Sequence, residues 1–175
     1  MAAVEIERLP RYRQMIEDSL DGPGRIVLAT VPAEHASELA GSPPVRPWAG
    51  LGEIARHDRL DDGRFLIWLF GLARVRIVEV ASDRLYRQVA YEPLEEIPPD
   101  QAQSAQLREP LMNAILQRRK EPLTFADEVP TGFLVGMLLQ HIDLPEAELE
   151  RIFDENSTAE RARLVLEAHA RYGTK

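Results

Sequence analysis

The chain has 175 residues, 45% hydrophobic and 29% charged, with a formal net charge of -8 at pH 7 and no cysteine. That composition fits a globular protein long enough to bury a sizeable core, and its negative field disfavours non-specific nucleic-acid binding, which requires phosphates to be neutralised. The missing cysteines exclude disulfides, thiolate zinc sites and thiol catalysis.

The start, MAAVEIERLPRYRQM, carries charges where a signal peptide would need an apolar core. The longest apolar runs, FLIWLFGLA and FLVGMLL, fall far short of the roughly 20 residues of a membrane span, so a cytoplasmic location is expected. From Pro10 to Gly22 the apolar residues Tyr12, Met15, Ile16 and Leu20 recur at helical spacing, with proline at the first turn and glycine after the last, predicting a short amphipathic helix. RIVLATV, Arg25 to Val31, reads as a buried strand. PAEHASELAGSPPVRPWAG, with four prolines and no sustained period, reads as a surface excursion.

LGEIARHDRL is a strand candidate, DDG a turn, and RFLIWLF a strand apolar on both faces, with Trp68 assigned to the core. Gly71 follows, where a bend or bulge is expected that a Cβ would obstruct. In ARVRIVEV, Val75 and Ile77 share one face while Val78 and Val80 share parity with Arg74 and Arg76; a bulge near Ile77 or burial on both faces would reconcile them. YRQVAYEPL supplies another strand and EEIPPD closes the sheet region. Successive short strands with tight turns suggest a small, strongly bent sheet or barrel.

Beyond Asp100 the period becomes helical. Leu107, Leu111 and Ile115 lie four apart, with Pro110 placed to split or kink their helix. TGFLVGMLLQHI is apolar nearly all round and is expected to be the buried helix. DLPEAELERIF pairs Asp143 with Glu146 as a capping box and then buries Leu149, Ile152 and Phe153. STAERARLVLEAHARYG repeats the device with Ser157 and Glu160, and Gly173 stands where a C-cap glycine belongs.

No catalytic constellation emerges. His35, His57, His141 and His169 never fall at the i, i+4 spacing of paired metal ligands on one helix face, and HDRLDD at His57 to Asp62 reads as a solvated turn rather than a metal cluster. The only lysines are Lys120 and Lys175, and Lys120 follows two arginines, a poor setting for the desolvated lysine of a Ser–Lys dyad. Glu95 and Glu96 are neighbours on an extended chain and point to opposite sides. Nucleotide-binding loops of the G-x-x-x-x-G-K-[ST] and G-x-G-x-x-G kinds are missing, as is G-x-S-x-G. No cofactor and no metal is expected. Trp48, in the proline-rich excursion, is the one candidate polypeptide contact; the competing reading is that it pins the excursion to the sheet.

Together RYRQMIEDSL, LGEIARHDRLDDGRFLIWLFGLARVRIVEV and YRQVAYEPLEE resemble the Lon protease N-terminal (substrate-binding) domain family. Its R-Y-R helix, G-x-I strand, D-G-R-[FY] hairpin and G-x-x-R-x-R-I strand are matched in order by Arg11 to Arg13, Gly52, Asp62 to Phe65, and Gly71 with Arg74 and Arg76. The tail GFLVGMLLQHIDLPEAELERIFDENSTAERARLVLEAHARY is similar to the family's helical subdomain. The resemblance implies an α+β fold, a PUA-like bent β-sheet or barrel over residues 1–99 followed by a C-terminal helical bundle over 100–175. It implies a stand-alone, non-enzymatic module that binds unfolded or partly folded polypeptide, with a Lon-type protease as a possible partner and a role as quality-control adaptor. An RNA-binding PUA-like module is the alternative, against which the acidic balance argues. A stand-alone peptidase is a third reading, opposed by the missing Ser–Lys and ATPase motifs. MAAVEIERLP lacks the apolar L-F-P-L-P and V-L-F-P-G segments usual in the family, so the first strand is expected to be absent or replaced. On that expectation either the true start lies upstream, or the chain has an open sheet edge covered by self-association or by a client strand.

Overall fold

The computed structural model describes residues 2–6, 9–38, 41–118, 125 and 129–172. Two compact units divide the chain between Leu94 and Glu95. Residues 95–99, counted with the sheet on sequence, belong to the second unit, where Ile97 bridges to Ser157 and Glu96 pairs with Arg161 at 3.1 Å.

The first unit is one antiparallel sheet of five strands with a helix, α1 (Pro10–Leu20). The strands are β1 (Ala2–Ile6), β2 (Arg25–Ala29), β3 (Trp48–Arg59), β4 (Phe65–Val80) and β5 (Gln88–Pro93). They run in the order β1-β4-β3-β2, and β5 pairs with β4. β1 aligns with Phe65 to Leu69 and β5 with Val75 to Val80, so the long β4 serves two partners in succession. Of the two expectations for the first strand, absent or replaced, the second holds: a strand of different sequence is present, with Ala2 to Ile6 opposite Leu69 to Phe65. Pairing uses backbone groups, which every residue carries, so the unusual side chains of this segment do not prevent it.

Residues 60–64 turn β3 into β4. Gly63 N–H donates to the Leu60 carbonyl and Leu60 N–H to the Arg64 carbonyl, both at 2.9 Å, and Gly63 sits at φ 85. This is the three-residue hairpin loop in which a left-handed residue completes the turn.

Two register shifts bend the β3–β4 pair. Leu51 faces Ala73 while Gly52 faces Gly71, leaving Leu72 extra; Ile54 faces Leu69 while Arg56 faces Trp68, leaving Ala55 extra. Leu72 exchanges the faces of β4. Phe65, Ile67 and Leu69 pack with Ile16 and Ile26 under α1, whereas Val75 and Ile77 pack with Ala49 and Leu51 in a second cluster. The adjacent residues Ile26 and Val27 join different clusters, as strand alternation demands.

Four expectations for this unit are corrected. The bulge lies at Leu72, not near Ile77, and Val78 is simply exposed at 71%. A Cβ at Gly71 would meet nothing within 4 Å, so obstruction does not explain this glycine. Trp68 is half-buried rather than core, because the odd-numbered neighbours take the core face; Arg56 covers its ring at 4.7 Å. Finally, RIVLATV is no buried strand: β2 is the edge of the sheet and buries only Ile26.

The second unit holds α2 (Gln101–Arg118), α3 (Thr131–Leu139), α4 (Glu146–Asp154) and α5 (Thr158–Arg171). Leu107, Leu111, Ala114 and Ile115 of α2 share one core with Leu134, Val135 and Leu138 of α3, Ile152 of α4 and Val165 of α5. α2 runs continuously through Pro110, held by that packing. α3 is buried on one side only, and Phe133 is 52% exposed. Asp143 and Glu146 form no capping box: Pro145 occupies the N-cap of α4, with no side-chain cap bond. Ser157 caps α5 as expected, accepting from Glu160 N–H at 3.3 Å, but Glu155 rather than Glu160 accepts from Ser157 N–H, at 2.7 Å. Gly173 and Lys120 lie outside the described residues.

Candidate functional site

A cavity of about 550 Å³ opens in the first unit alongside β2. Its apolar floor is Ile26, Val27, Leu51, Ile77 and Val89, with Met15 and Val45 at the sides. One wall is α1; the other is formed by residues 41–45 together with the end of the β4–β5 hairpin. Both faces of the sheet thus meet the cavity at its edge.

Polar side chains hold the walls in place. Leu85 N–H donates to Gln14 Oε1 at 2.9 Å, and Asp18 accepts from the Tyr86 hydroxyl at 2.9 Å and pairs with Arg84 at 3.1 Å. Burial, and then the bond to Asp18, pushes the Tyr86 phenol above its usual range. Arg87 forks onto Glu79 with bonds of 2.7 and 2.6 Å and donates its remaining nitrogen to the Pro43 carbonyl at 2.6 Å. These bonds hold the Glu79 carboxyl below its ordinary value. Arg11 donates to the Gly41 carbonyl at 3.2 Å. The helix, the hairpin and the 41–45 segment are tied into one frame around an apolar floor.

The floor's margin is made of backbone. Ile54 N–H donates to the Gly24 carbonyl at 2.7 Å, which makes Gly24 and Ile54 a hydrogen-bonded pair of the β2–β3 ladder. By alternation Ile26 and Leu28 also bond across to β3, while the N–H and C=O groups of Arg25, Val27 and Ala29 point away from it. The other side of β3 agrees: Ile77 N–H donates to the Pro47 carbonyl, which turns the backbone of Leu51 toward β4. On β5 the same alternation, fixed by the Leu94 to Arg74 bond, turns Val89, Tyr91 and Pro93 outward. Arg25, Val27 and Ala29 line the cavity, as do Val89 and Tyr91.

The side chains singled out on sequence lie elsewhere. Trp48 opens β3 and is 4% exposed, the packing of a residue that pins the preceding segment to the sheet. In the His57 to Asp62 stretch, Asp58 pairs with Arg56 at 3.0 Å and Asp62 with Arg64 at 2.7 Å. No group of three or more metal-ligating side chains occurs among the described residues. Glu96 serves the half-buried pairing with Arg161. No sequence pattern singles out Gln14, Asp18 and Tyr86, whose partners lie some 70 residues away; of the α1 wall, Arg11 and Tyr12 belong to a motif and Met15 to the helical period.

The family model for the ATP-dependent protease La (LON) substrate-binding domain matches residues 3–170. Among solved structures, the N-terminal domain of the Mycobacterium avium complex Lon protease superposes with a TM-score of 0.68 at 16% identity, covering 97% of this chain and 90% of that one. The Lon N-terminal domain protein from Xanthomonas campestris superposes with a TM-score of 0.62, also at 16% identity, covering 95% of this chain and 89% of that one. At such identity the superpositions speak for the fold alone, which is α+β as expected. A comparison with curated proteins finds no match by sequence. No helix among the described residues is long and apolar enough to cross a membrane. On a match that spans nearly all of its 175 residues, the chain belongs to the LON substrate-binding domain family.

Proposed function

We propose that this chain is a non-catalytic module that binds unfolded or partly folded polypeptide, acting as an adaptor that presents it to a Lon-type protease. The observation that carries the reading is the cavity beside β2, with its apolar floor, its margin of backbone donors and acceptors, and walls tied by Asp18, Gln14 and Arg87. Unfolded chains offer what such a site takes: apolar side chains together with unpaired peptide groups. The hydroxyls lining the cavity, apart from tyrosines, are Ser19 and Ser42, and Ser19 donates to the Met15 carbonyl at 2.6 Å. Among the described residues, no histidine or lysine lines it to act as a base.

The test is anisotropy of fluorescently labelled α-lactalbumin, either reduced and carboxymethylated or native, titrated with this chain. Binding of the unfolded form alone is expected. The same mixtures, with and without ATP and magnesium, should show neither cleavage nor phosphate release. Proteolysis abolished by Lys120→Ala would overturn the non-catalytic reading, and failure to bind the unfolded form would overturn the polypeptide reading.

A further inference from the structure

We propose that the polypeptide is captured as an added β-strand on the open edge of β2, through the backbone groups of Arg25, Val27 and Ala29. This rests on the polypeptide-binding reading and specifies its chemistry: an extended segment held by main-chain hydrogen bonds, with side-chain selection limited to alternate positions.

Three observations converge on that occupant. The ladder places the donors and acceptors of Arg25, Val27 and Ala29 on the side of β2 away from β3, and no other described strand pairs there. Those residues line the cavity, so the edge opens into a walled slot rather than onto a bare surface. The slot also has apolar groups for both sets of alternating side chains of an added strand. Residues beside Val27 would point toward Val45 and Val89, and residues beside Ile26 toward Met15.

Exposed edges are ordinarily blunted by proline, by lysine or by a bulge. β5 ends in Pro93, at a position whose missing N–H faces outward, so its edge is blunted there at no cost to the ladder. β2 has no proline, lysine or bulge, and its one charged side chain, Arg25, is drawn onto Glu53 of β3 at 3.7 Å. Its outward positions carry arginine, valine and alanine, and its register with β3 runs unbroken from Arg25 to Ala29.

Amide hydrogen exchange read by NMR separates this mode from side-chain docking. In the free chain, Ile26 and Leu28 should exchange slowly and Val27 and Ala29 fast. With saturating reduced, carboxymethylated α-lactalbumin, Val27 and Ala29 should slow by about tenfold or more while Ile26 and Leu28 hold their rates. Val27→Pro deletes an outward donor and leaves the bonds to β3 in place, so circular dichroism should be retained and binding weakened at least about tenfold. Ala29→Pro repeats the test at an exposed residue with little packing to lose. Binding with unchanged Val27 and Ala29 exchange, or at full strength in both proline variants, overturns strand addition and leaves the functional reading standing. Absence of any binding overturns both. Protection that appears in the chain alone and grows with its concentration, together with a dimer in sedimentation, assigns the edge to a second copy and overturns the client strand. If a proline variant fails to fold, the exchange pattern of the native chain decides alone.

Discussion

Gly71 and Gly63 separate two reasons for a glycine in a strand region, and the structure assigns them opposite outcomes. Both have open space where a Cβ would project, with nothing within 4 Å. They differ in backbone. Gly63 sits at φ 85, whereas Gly71 is not among the glycines with positive φ. Replacing a glycine by alanine where the backbone is compatible removes conformational freedom from the unfolded chain and stabilises by about 0.4–1 kcal/mol. Gly71→Ala should therefore stabilise the first unit by roughly 0.5 kcal/mol, a rise of about 2–4 °C for a unit of this size. At Gly63 the same gain is outweighed by about 1–2 kcal/mol for holding an L-residue in the left-handed region. Gly63→Ala should then cost about 1 kcal/mol net and lower the transition by about 4–8 °C. Both tryptophans, Trp48 and Trp68, lie in the first unit, so thermal unfolding followed by tryptophan fluorescence reports that unit alone. A Gly71→Ala variant destabilised by more than about 1 kcal/mol would refute the reasoning, because it would mean that the bulge at Leu72 needs a backbone only glycine supplies.

The second unit carries three further predictions, all readable in its helical circular dichroism. Ser157→Ala removes the acceptor of Glu160 N–H and should destabilise by about 1 kcal/mol, while Ser157→Asp should recover most of it. Leu111, fully buried between α2 and its neighbours, should cost about 2–5 kcal/mol as alanine, against less than about 1 kcal/mol for the exposed Leu116 on the same helix. His169 accepts from Arg118 Nε at 2.7 Å on Nδ1 and faces Gln117 Oε1 at 3.0 Å on Nε2, so the neutral Nε2–H tautomer satisfies both. Burial first, and Arg118 second, holds its pKa below the ordinary 6.5. The unfolded chain therefore binds the proton more readily, and stability should be full above about pH 6.5 and decline as pH falls through the lowered folded value. His169→Gln should flatten that decline; an unchanged slope in urea melts would show that another group carries it.

Much of the fold was legible because it rests on side-chain pattern. The helical spacing of Tyr12, Met15, Ile16 and Leu20, the DDG turn and the Ser157 cap each express a local rule, and each appears where it was expected. Errors arose where a distant partner decided the outcome. Trp68 looks like core among FLIWLF, yet Phe65, Ile67 and Leu69 take the inward positions and leave it to Arg56. Val78 and Val80 suggest a slipped phase near Ile77, yet the inserted residue is Leu72, beside Gly71, where the glycine itself signals a bend or bulge. MAAVEIERLP lacks its family's apolar residues and so leaves the first strand open as absent or replaced, whereas pairing with β4 requires only backbone.

The edge proposed for client capture carries no signature of reactive side chains. A sheet edge is made of peptide groups, which carry no residue identity, and which of them face outward depends on register, set here by the Gly24–Ile54 bond. No motif can encode Val27 N–H as a donor, since its neighbours Ile26 and Leu28 have the same group pointing inward. What sequence can show is the missing protection: five residues, RIVLA, without proline, lysine or glycine to discourage an incoming strand. Read alone, that stretch suits a buried central strand as well as an edge. Placed at the end of the sheet order and beside a walled apolar slot, the same five residues form the edge proposed to take a client strand, where selectivity would come from alternation and affinity from main chain. That division suits a partner defined by being unfolded rather than by its sequence.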